Sequence, residues 1–131
     1  MLSVKMQYSG INIDCVFENK ISLLSGYSGT GKTLLMKATE LYCLNNGISC
    51  RYCDFRYREM SIEQIEKICA GVKVVLFDNA DLYLNNKLLD KLKNSAEHII
   101  ICMKDTSDID MFNITRYLVD YENLELTIEV L

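Results

Sequence analysis

The chain has 131 residues, of which 50% are hydrophobic and 24% charged, and its formal net charge at pH 7 is −4. This composition predicts one globular domain over residues 1–131 and excludes a disordered or membrane-spanning chain. The acidic balance, without any run of like charges, gives no support to nucleic acid binding.

Two features of the sequence favour the cytoplasm. Residues 1–5 carry no basic segment followed by an apolar core, so nothing here predicts secretion. The six cysteines are expected to be free thiols, because a domain of this size needs no disulfide to fold. We therefore expect a cytoplasmic protein with no membrane segment.

The first elements in chain order form a hairpin, a strand and a helix. Alternating residues predict strands over 2–8 and 11–17. A short apolar run over 20–25 predicts a buried strand that ends at a glycine. Over residues 32–45 the apolar side chains recur three and four positions apart, which predicts an amphipathic helix.

Strands and helices continue to alternate in the second half. A strand is predicted over 48–56, and Ser61 with Gln64 indicates the capped start of a helix. Residues 72–77 are almost continuously apolar, which is typical of a strand covered on both faces. The remaining predictions are a helix at 84–95, a strand at 98–103, a short helix or loop at 107–113, and a hairpin at 115–121 and 124–130. Together they predict a three-layer α/β domain with a mostly parallel central sheet and β-hairpins added at both ends.

The segment between the third strand and the first helix reads Gly-Tyr-Ser-Gly-Thr-Gly-Lys-Thr, which matches the phosphate-loop pattern G-x-x-x-x-G-K-[ST]. Its glycines permit positive φ angles, so that successive N–H groups point at one anion, and the following helix adds its positive dipole end. Lys32 supplies a cation for the β- and γ-phosphates, and the Thr33 hydroxyl a ligand for Mg²⁺. The candidate phosphate-binding residues are Gly26, Ser28, Gly29, Thr30, Gly31, Lys32, Thr33 and Leu34.

A second part of the site is predicted where the apolar strand ends at Asp78. Ligands of open α/β sheets lie beyond the carboxyl ends of the strands, so we expect Asp78 near a Mg²⁺ bound by Thr33. The next residue, Asn79, can orient water but cannot take a proton. Asp81 could substitute as the acid if its loop bends back. The candidate catalytic set is Lys32, Asp78, Asn79 and Asp81.

With both segments placed, residues 20–104 resemble the P-loop NTPases, in the branch that contains AAA+, recombinase-like and ABC-type ATPases. The resemblance implies the three-layer P-loop NTPase fold, ATP or another NTP with Mg²⁺ as cofactors, and an Asp78 strand that neighbours the phosphate-loop strand. It also suggests Lys104, or Asp105 and Thr106, as a polar sensor of the γ-phosphate. The chain departs from the family in having Asn79 where Glu is usual, and in lacking a helical lid and an ABC signature.

Three functions remain compatible with this sequence. The first is a weak Mg²⁺-dependent ATPase that acts as a nucleotide switch and is completed by a protein partner or a second copy. The second is a small-molecule or nucleotide kinase whose acceptor lies near Asp54 and Arg56. The third is a nucleotide-binding interaction module that does not hydrolyse its ligand.

Overall fold

The protein is described by a computed structural model that covers residues 1–27, 29 and 31–131. Its strands and helices in chain order are β1 (Leu2–Tyr8), β2 (Ile11–Phe17), β3 (Ile21–Ser25), α1 (Lys32–Asn45), β4 (Cys50–Cys53), α2 (Ile62–Cys69), β5 (Val74–Phe77), α3 (Asn86–Leu92), β6 (His98–Cys102), β7 (Thr115–Glu122) and β8 (Glu125–Val130). Two 3₁₀ turns lie at Phe55–Glu59 and Ala80–Leu82.

All eight strands belong to one mixed sheet, in the order β1-β2-β8-β7-β3-β6-β5-β4. Adjacent strands in the run β4, β5, β6, β3, β7 are parallel to one another, and β2 is parallel to β8. The two hairpins, β1 with β2 and β7 with β8, are antiparallel. Both outermost strands, β1 and β4, contact α1, because the sheet curls around this helix into a half-barrel.

The predicted fold class is therefore wrong. The protein is a curled, mixed, eight-stranded half-barrel with three short helices, and strands predominate, instead of a helix-flanked three-layer P-loop NTPase fold. The terminal hairpins are not additions, since Asn12 of β2 pairs with Glu125 of β8 and joins them into the same sheet. A hydrophobic pattern identifies strands but does not say which distant strands pair, and this pairing decides the shape of the sheet.

The expected neighbour of the phosphate-loop strand is also wrong. Strand β6 lies between β3 and β5, so the strand that ends at Asp78 is separated from the loop strand by one position. Asp78 nevertheless accepts a hydrogen bond from Thr33 at the start of α1. This geometry still leaves the carboxyl ends of all three strands at the same edge.

Two apolar clusters cover opposite faces of the central strands. On one face, Leu35 and Met36 of α1 pack with side chains of both hairpins. On the other, α2 and α3 contribute Ile65 and Leu88. Strand β5 shares its residues between the two clusters, and all four are buried. The prediction that this strand is covered on both faces is confirmed.

Local predictions fare better than the overall one. The helix over 32–45 and the capping box of Ser61 and Gln64 are confirmed. The helix expected at 84–95 is shorter, at Asn86–Leu92, and residues 107–113 form no helix. Among the described residues, no helix has the length and apolar character needed to cross a bilayer.

Candidate functional site

The phosphate-loop segment connects β3 to α1, as its sequence predicts. Gly29 and Gly31 have φ angles of +84° and +93°, which residues with a side chain rarely adopt, so the loop conformation favours glycine at both positions. Gly31 immediately precedes the helix and is its N-cap. The predicted contributions of Ser28 and Thr30 lie outside the described residues.

The start of α1 presents positive charge to the loop. Its first turn holds no acidic residue, and no described side chain caps it. The ammonium of Lys32 donates to the carbonyl of Gly26 at 2.6 Å, which closes the loop on itself. The N–H groups of the first helical turn, the helix dipole and the lysine therefore lie together at the start of α1, an arrangement that attracts anions.

Asp78 lies opposite this loop and accepts three hydrogen bonds. Its Oδ2 accepts from the Thr33 hydroxyl at 3.0 Å and from the Tyr52 hydroxyl at 2.6 Å, while its Oδ1 accepts from the backbone N–H of Asn79 at 3.0 Å. The residue is only 4% exposed. A buried carboxylate is stable when donors satisfy it in this way, so the network fixes the direction of both oxygens.

Burial and the nearby carboxylate keep the neighbouring groups protonated. Burial and the hydrogen bond to Asp78 raise the pKa of Tyr52 above its ordinary value, so its hydroxyl remains a donor. Burial, followed by the charge of Asp78, raises the pKa of Cys102 to about 11. Tyr83 places its hydroxyl 2.6 Å from the carbonyl of Asp78 and 2.9 Å from that of Cys53, which ties the ends of β5 and β4 together.

A cavity of about 580 Å³ lies at the carboxyl edge of the sheet, beside the phosphate loop and Asp78. Its lining contains most of the predicted site residues, the suggested sensor and three others: Gly29, Gly31, Lys32, Thr33, Leu34, Asp78, Asn79, Asp81, Lys104, Leu82, Cys102 and Met103. The loop after β5 bends into a 3₁₀ turn, and this bend brings Asp81 to the cavity. Lys104 also lines it, whereas Asp105 and Thr106 do not.

Sequence reasoning missed Tyr52 and Cys102. Both lie at the carboxyl ends of strands, β4 and β6, that flank the Asp78 strand. Cys102 stood next to the end of the predicted strand 98–103, whereas Tyr52 stood in the middle of the predicted strand 48–56, which is shorter in the structure, and the sequence did not reveal the order of the strands. Tyr52 lies within the segment Cys50-Arg51-Tyr52-Cys53, whose two thiols pack into different clusters on opposite faces.

The residues at this cavity suit a magnesium ion. Mg²⁺ is usually held by one or two protein oxygens, with waters and phosphate oxygens completing its shell. Thr33 and Asp78 offer a hydroxyl and a carboxylate at the cavity edge, 3.0 Å apart. Over the described part of the chain no cluster of three His, Cys, Asp or Glu side chains could form a cage for a metal. The two side chains therefore suit a Mg²⁺ ion whose remaining ligands are waters and phosphate oxygens.

A second cavity, of about 710 Å³, lies on the other side of Tyr52. It is lined by Tyr8, Lys37, Glu40, Leu41, Leu44, Ile48, Cys50, Tyr52, Asp54 and Arg56. Arg56 and Asp54 form an ion pair at 2.7 Å, and the Arg56 guanidinium holds the pKa of Asp54 below its usual range. The acid and arginine predicted near an acceptor thus lie together, but in this cavity and not in the first.

Comparison of the chain with protein-family models, with curated proteins and with solved structures gave no match. No relative therefore supplies a function. The chemistry of the side chains around the first cavity is the basis for the function proposed below.

Proposed function

We propose that the chain binds a magnesium–nucleoside triphosphate, with ATP as the first candidate, in the cavity beside residues 26–33. It acts as a nucleotide-dependent switch or as a weak ATPase that a partner protein or a second copy completes. The observation that carries this proposal is the 3.0 Å hydrogen bond from Thr33 to Asp78 beside a glycine loop closed by Lys32. Protein groups of the kind that bind phosphate and Mg²⁺, namely Lys32, Thr33 and Asp78, line the same cavity.

The phosphate side of the proposal rests on the loop and the start of α1. Lys32 now donates to the carbonyl of Gly26, a neutral acceptor. A phosphate oxygen is a stronger acceptor, because hydrogen bonds between charged groups are shorter and stronger than those to neutral oxygen. The ammonium would therefore move from the loop carbonyl to the β- and γ-phosphates, and the amides of the loop and first turn would contact the same groups.

On the metal side, Thr33 and Asp78 would hold Mg²⁺ together with phosphate oxygens and waters. The bound ion would neutralise charge on the triphosphate. Asp78 receives three hydrogen bonds, which keep its carboxylate directed toward Thr33 without a rearrangement of the strand. No third protein carboxylate is needed for such a site.

Hydrolysis is expected to be slow in the isolated chain. The residue after Asp78 is Asn79, which can orient a water molecule but cannot accept its proton. Asp81 lines the same cavity and is exposed, so it is the candidate base. A partner that supplies an arginine to the γ-phosphate would accelerate turnover. The proposed setting is the cytoplasm, where the six free thiols would stay reduced.

Calorimetric titration with ATP in the presence of Mg²⁺ tests the binding. Lys32→Ala is expected to weaken affinity about 10- to 100-fold, because one charge-assisted hydrogen bond to phosphate is lost. Lys37→Ala is the matched control, since this lysine lies on the same helix but lines the second cavity. Equal affinity for wild type and Lys32→Ala, or no binding by wild type to any magnesium–triphosphate, would refute the proposal.

Measuring phosphate release from ATP distinguishes a weak ATPase from an interaction module that binds the nucleotide without hydrolysing it. Slow release that falls about 10-fold in Asp81→Asn, with binding unchanged, would identify a hydrolase that uses this acid. Tight binding without any release, also with candidate partners present, would favour the interaction module. Leu82→Ala, at an exposed position of the same 3₁₀ turn, serves as a control for changes in the shape of that turn.

A second candidate function is phosphoryl transfer to a small acceptor. The observation that favours it is the second cavity, which is lined by the Asp54–Arg56 ion pair and by Tyr52. The hydroxyl of Tyr52 in turn bonds Asp78. Faster ATP consumption on addition of one nucleoside or sugar from a panel would support it. Arg56→Ala should then abolish the acceleration but leave ATP binding intact.

A further inference from the structure

Tyr52 reaches the metal-side residues from the edge of the sheet. Strand β4 is outermost, and Tyr52 stands opposite Leu76 of β5. Asp78 lies two positions beyond Leu76, so the tyrosine side chain leans along its strand toward the carboxyl edge. Its hydroxyl ends 2.6 Å from Asp78 Oδ2, a short contact of the kind that a carboxylate makes with a neutral O–H donor.

The same carboxylate oxygen decides how the Thr33 hydroxyl is directed. A threonine hydroxyl has one O–H and two lone pairs. Since its O–H is donated to Asp78 Oδ2, the lone pairs of Thr33 point away from the carboxylate and are available to a cation. Any shift of Oδ2 would turn the Thr33 proton as well. Two donors therefore share one oxygen, and the Tyr52 hydroxyl is the closer of the two.

We propose that Tyr52 is a positioning residue for the metal: it holds Asp78 Oδ2 in place, and through it keeps the Thr33 lone pairs directed toward Mg²⁺. This inference rests on the function proposed above and adds a residue outside the phosphate-loop and Asp78 segments. Tyr52 itself lines only the second cavity, so it acts on the metal through Asp78 and not by contact with phosphate.

The hydroxyl can be separated from the ring. The ring of Tyr52 is partly buried against the α1 cluster, and Tyr52→Phe retains this packing while it removes one hydrogen bond. Tyr8→Phe is the matched control, because Tyr8 lines the same cavity and no described group bonds its hydroxyl. Thermal unfolding of each variant reports any loss of the fold.

The experiment titrates Mg²⁺ at fixed ATP and measures nucleotide binding. Tyr52→Phe is expected to raise the Mg²⁺ concentration for half-maximal binding about 3- to 10-fold, with near-normal ATP affinity once Mg²⁺ saturates. Tyr8→Phe should match wild type. An unchanged Mg²⁺ requirement in Tyr52→Phe overturns the inference, and so does weaker ATP binding at every Mg²⁺ concentration, which would indicate a structural role.

A double-mutant cycle with Asp78→Asn tests whether the effect passes through this carboxylate. If Tyr52 acts through Asp78, Tyr52→Phe should change the Mg²⁺ requirement little when Asp78 is already replaced. Full additivity of the two changes would contradict the proposed route. If wild type binds no triphosphate at all, the proposed function fails and this inference falls with it. If wild type binds normally, the Tyr52→Phe titration judges the inference alone.

Discussion

The two parts of the sheet make different contributions around the same helix. Strands β4, β5 and β6 end at the first cavity and bring Tyr52, Asp78 and Cys102 to it or beside it. Of the described residues in the hairpin strands β1, β2, β7 and β8, none lines that cavity. The hairpins instead support the loop from behind: a Cβ on Gly31 would lie 2.8 Å from Leu126 Cδ1. The parallel strands thus contribute polar side chains at or beside the cavity, and the hairpins pack behind the phosphate loop.

The largest expected effect comes from removing that support. Leu126→Ala empties a fully buried position behind the loop and should destabilise the fold by about 2–5 kcal/mol. We also expect weaker triphosphate binding by the fraction that stays folded, because the loop loses its packing. Urea denaturation and calorimetry at low temperature measure both quantities.

Leu92→Ala is the control on the opposite face. Leu92 is also buried, but it belongs to the cluster of α2 and α3, away from the loop. It should lose similar stability and retain its affinity for the triphosphate. Equal loss of affinity in both variants would mean that the hairpins give the loop no special support.

A second test uses the loop glycines. Gly31→Ala should destabilise by about 1–3 kcal/mol, because a positive φ angle and the contact with buried Leu126 both oppose a side chain. Gly29→Ala keeps the strain of a positive φ but has open space around its Cβ, so about 1 kcal/mol is expected. Thermal and urea unfolding compare the two. A larger loss at Gly29 would contradict the contact between loop and hairpin.

A smaller effect is expected where the two parts meet, in β3, which pairs with β6 on one side and β7 on the other. Ser22 in this strand is fully buried, and its hydroxyl has no partner among the described groups. Ser22→Ala should therefore raise stability by about 1 kcal/mol. Thr39→Val is the control: its hydroxyl donates to the carbonyl of Leu35, so no gain is expected. A loss of stability in Ser22→Ala would point to an unrecognised partner.

The smallest expected effect is a pH dependence of stability caused by His98, which begins β6 at the end of the sheet away from the cavity. Burial, and then the positive chain terminus, lower the pKa of His98, so the folded protein binds this proton less readily than the unfolded chain. Stability should therefore fall as the pH drops below the unfolded value of about 6.5. The decline should be shallower in His98→Gln, as measured by urea denaturation between pH 7 and lower values. Parallel curves for both proteins would exclude a role for His98.

Much of the local structure follows from the sequence. The period of Leu34, Leu35, Ala38, Leu41 and Tyr42 predicted α1 with its bounds, and Ser61 with Gln64 predicted the start of α2. Short-range signals of this kind succeed because the groups that decide them are a few residues apart. The glycines and the lysine of residues 26–33 likewise placed the loop between a strand and a helix.

Tertiary structure alone decided how the strands were ordered and how the sheet closed around α1. The pairing of β2 with β8 and the insertion of β6 between β3 and β5 depend on contacts between distant segments, which no local pattern encodes. For the same reason Tyr52 could not be assigned to Asp78 from the sequence, which placed it in the middle of a predicted strand over 48–56 and not at the end that β4 has in the structure. The sequence by itself determined the loop, its lysine and the carboxylate; the packing of the sheet determined which hydroxyls reach that carboxylate.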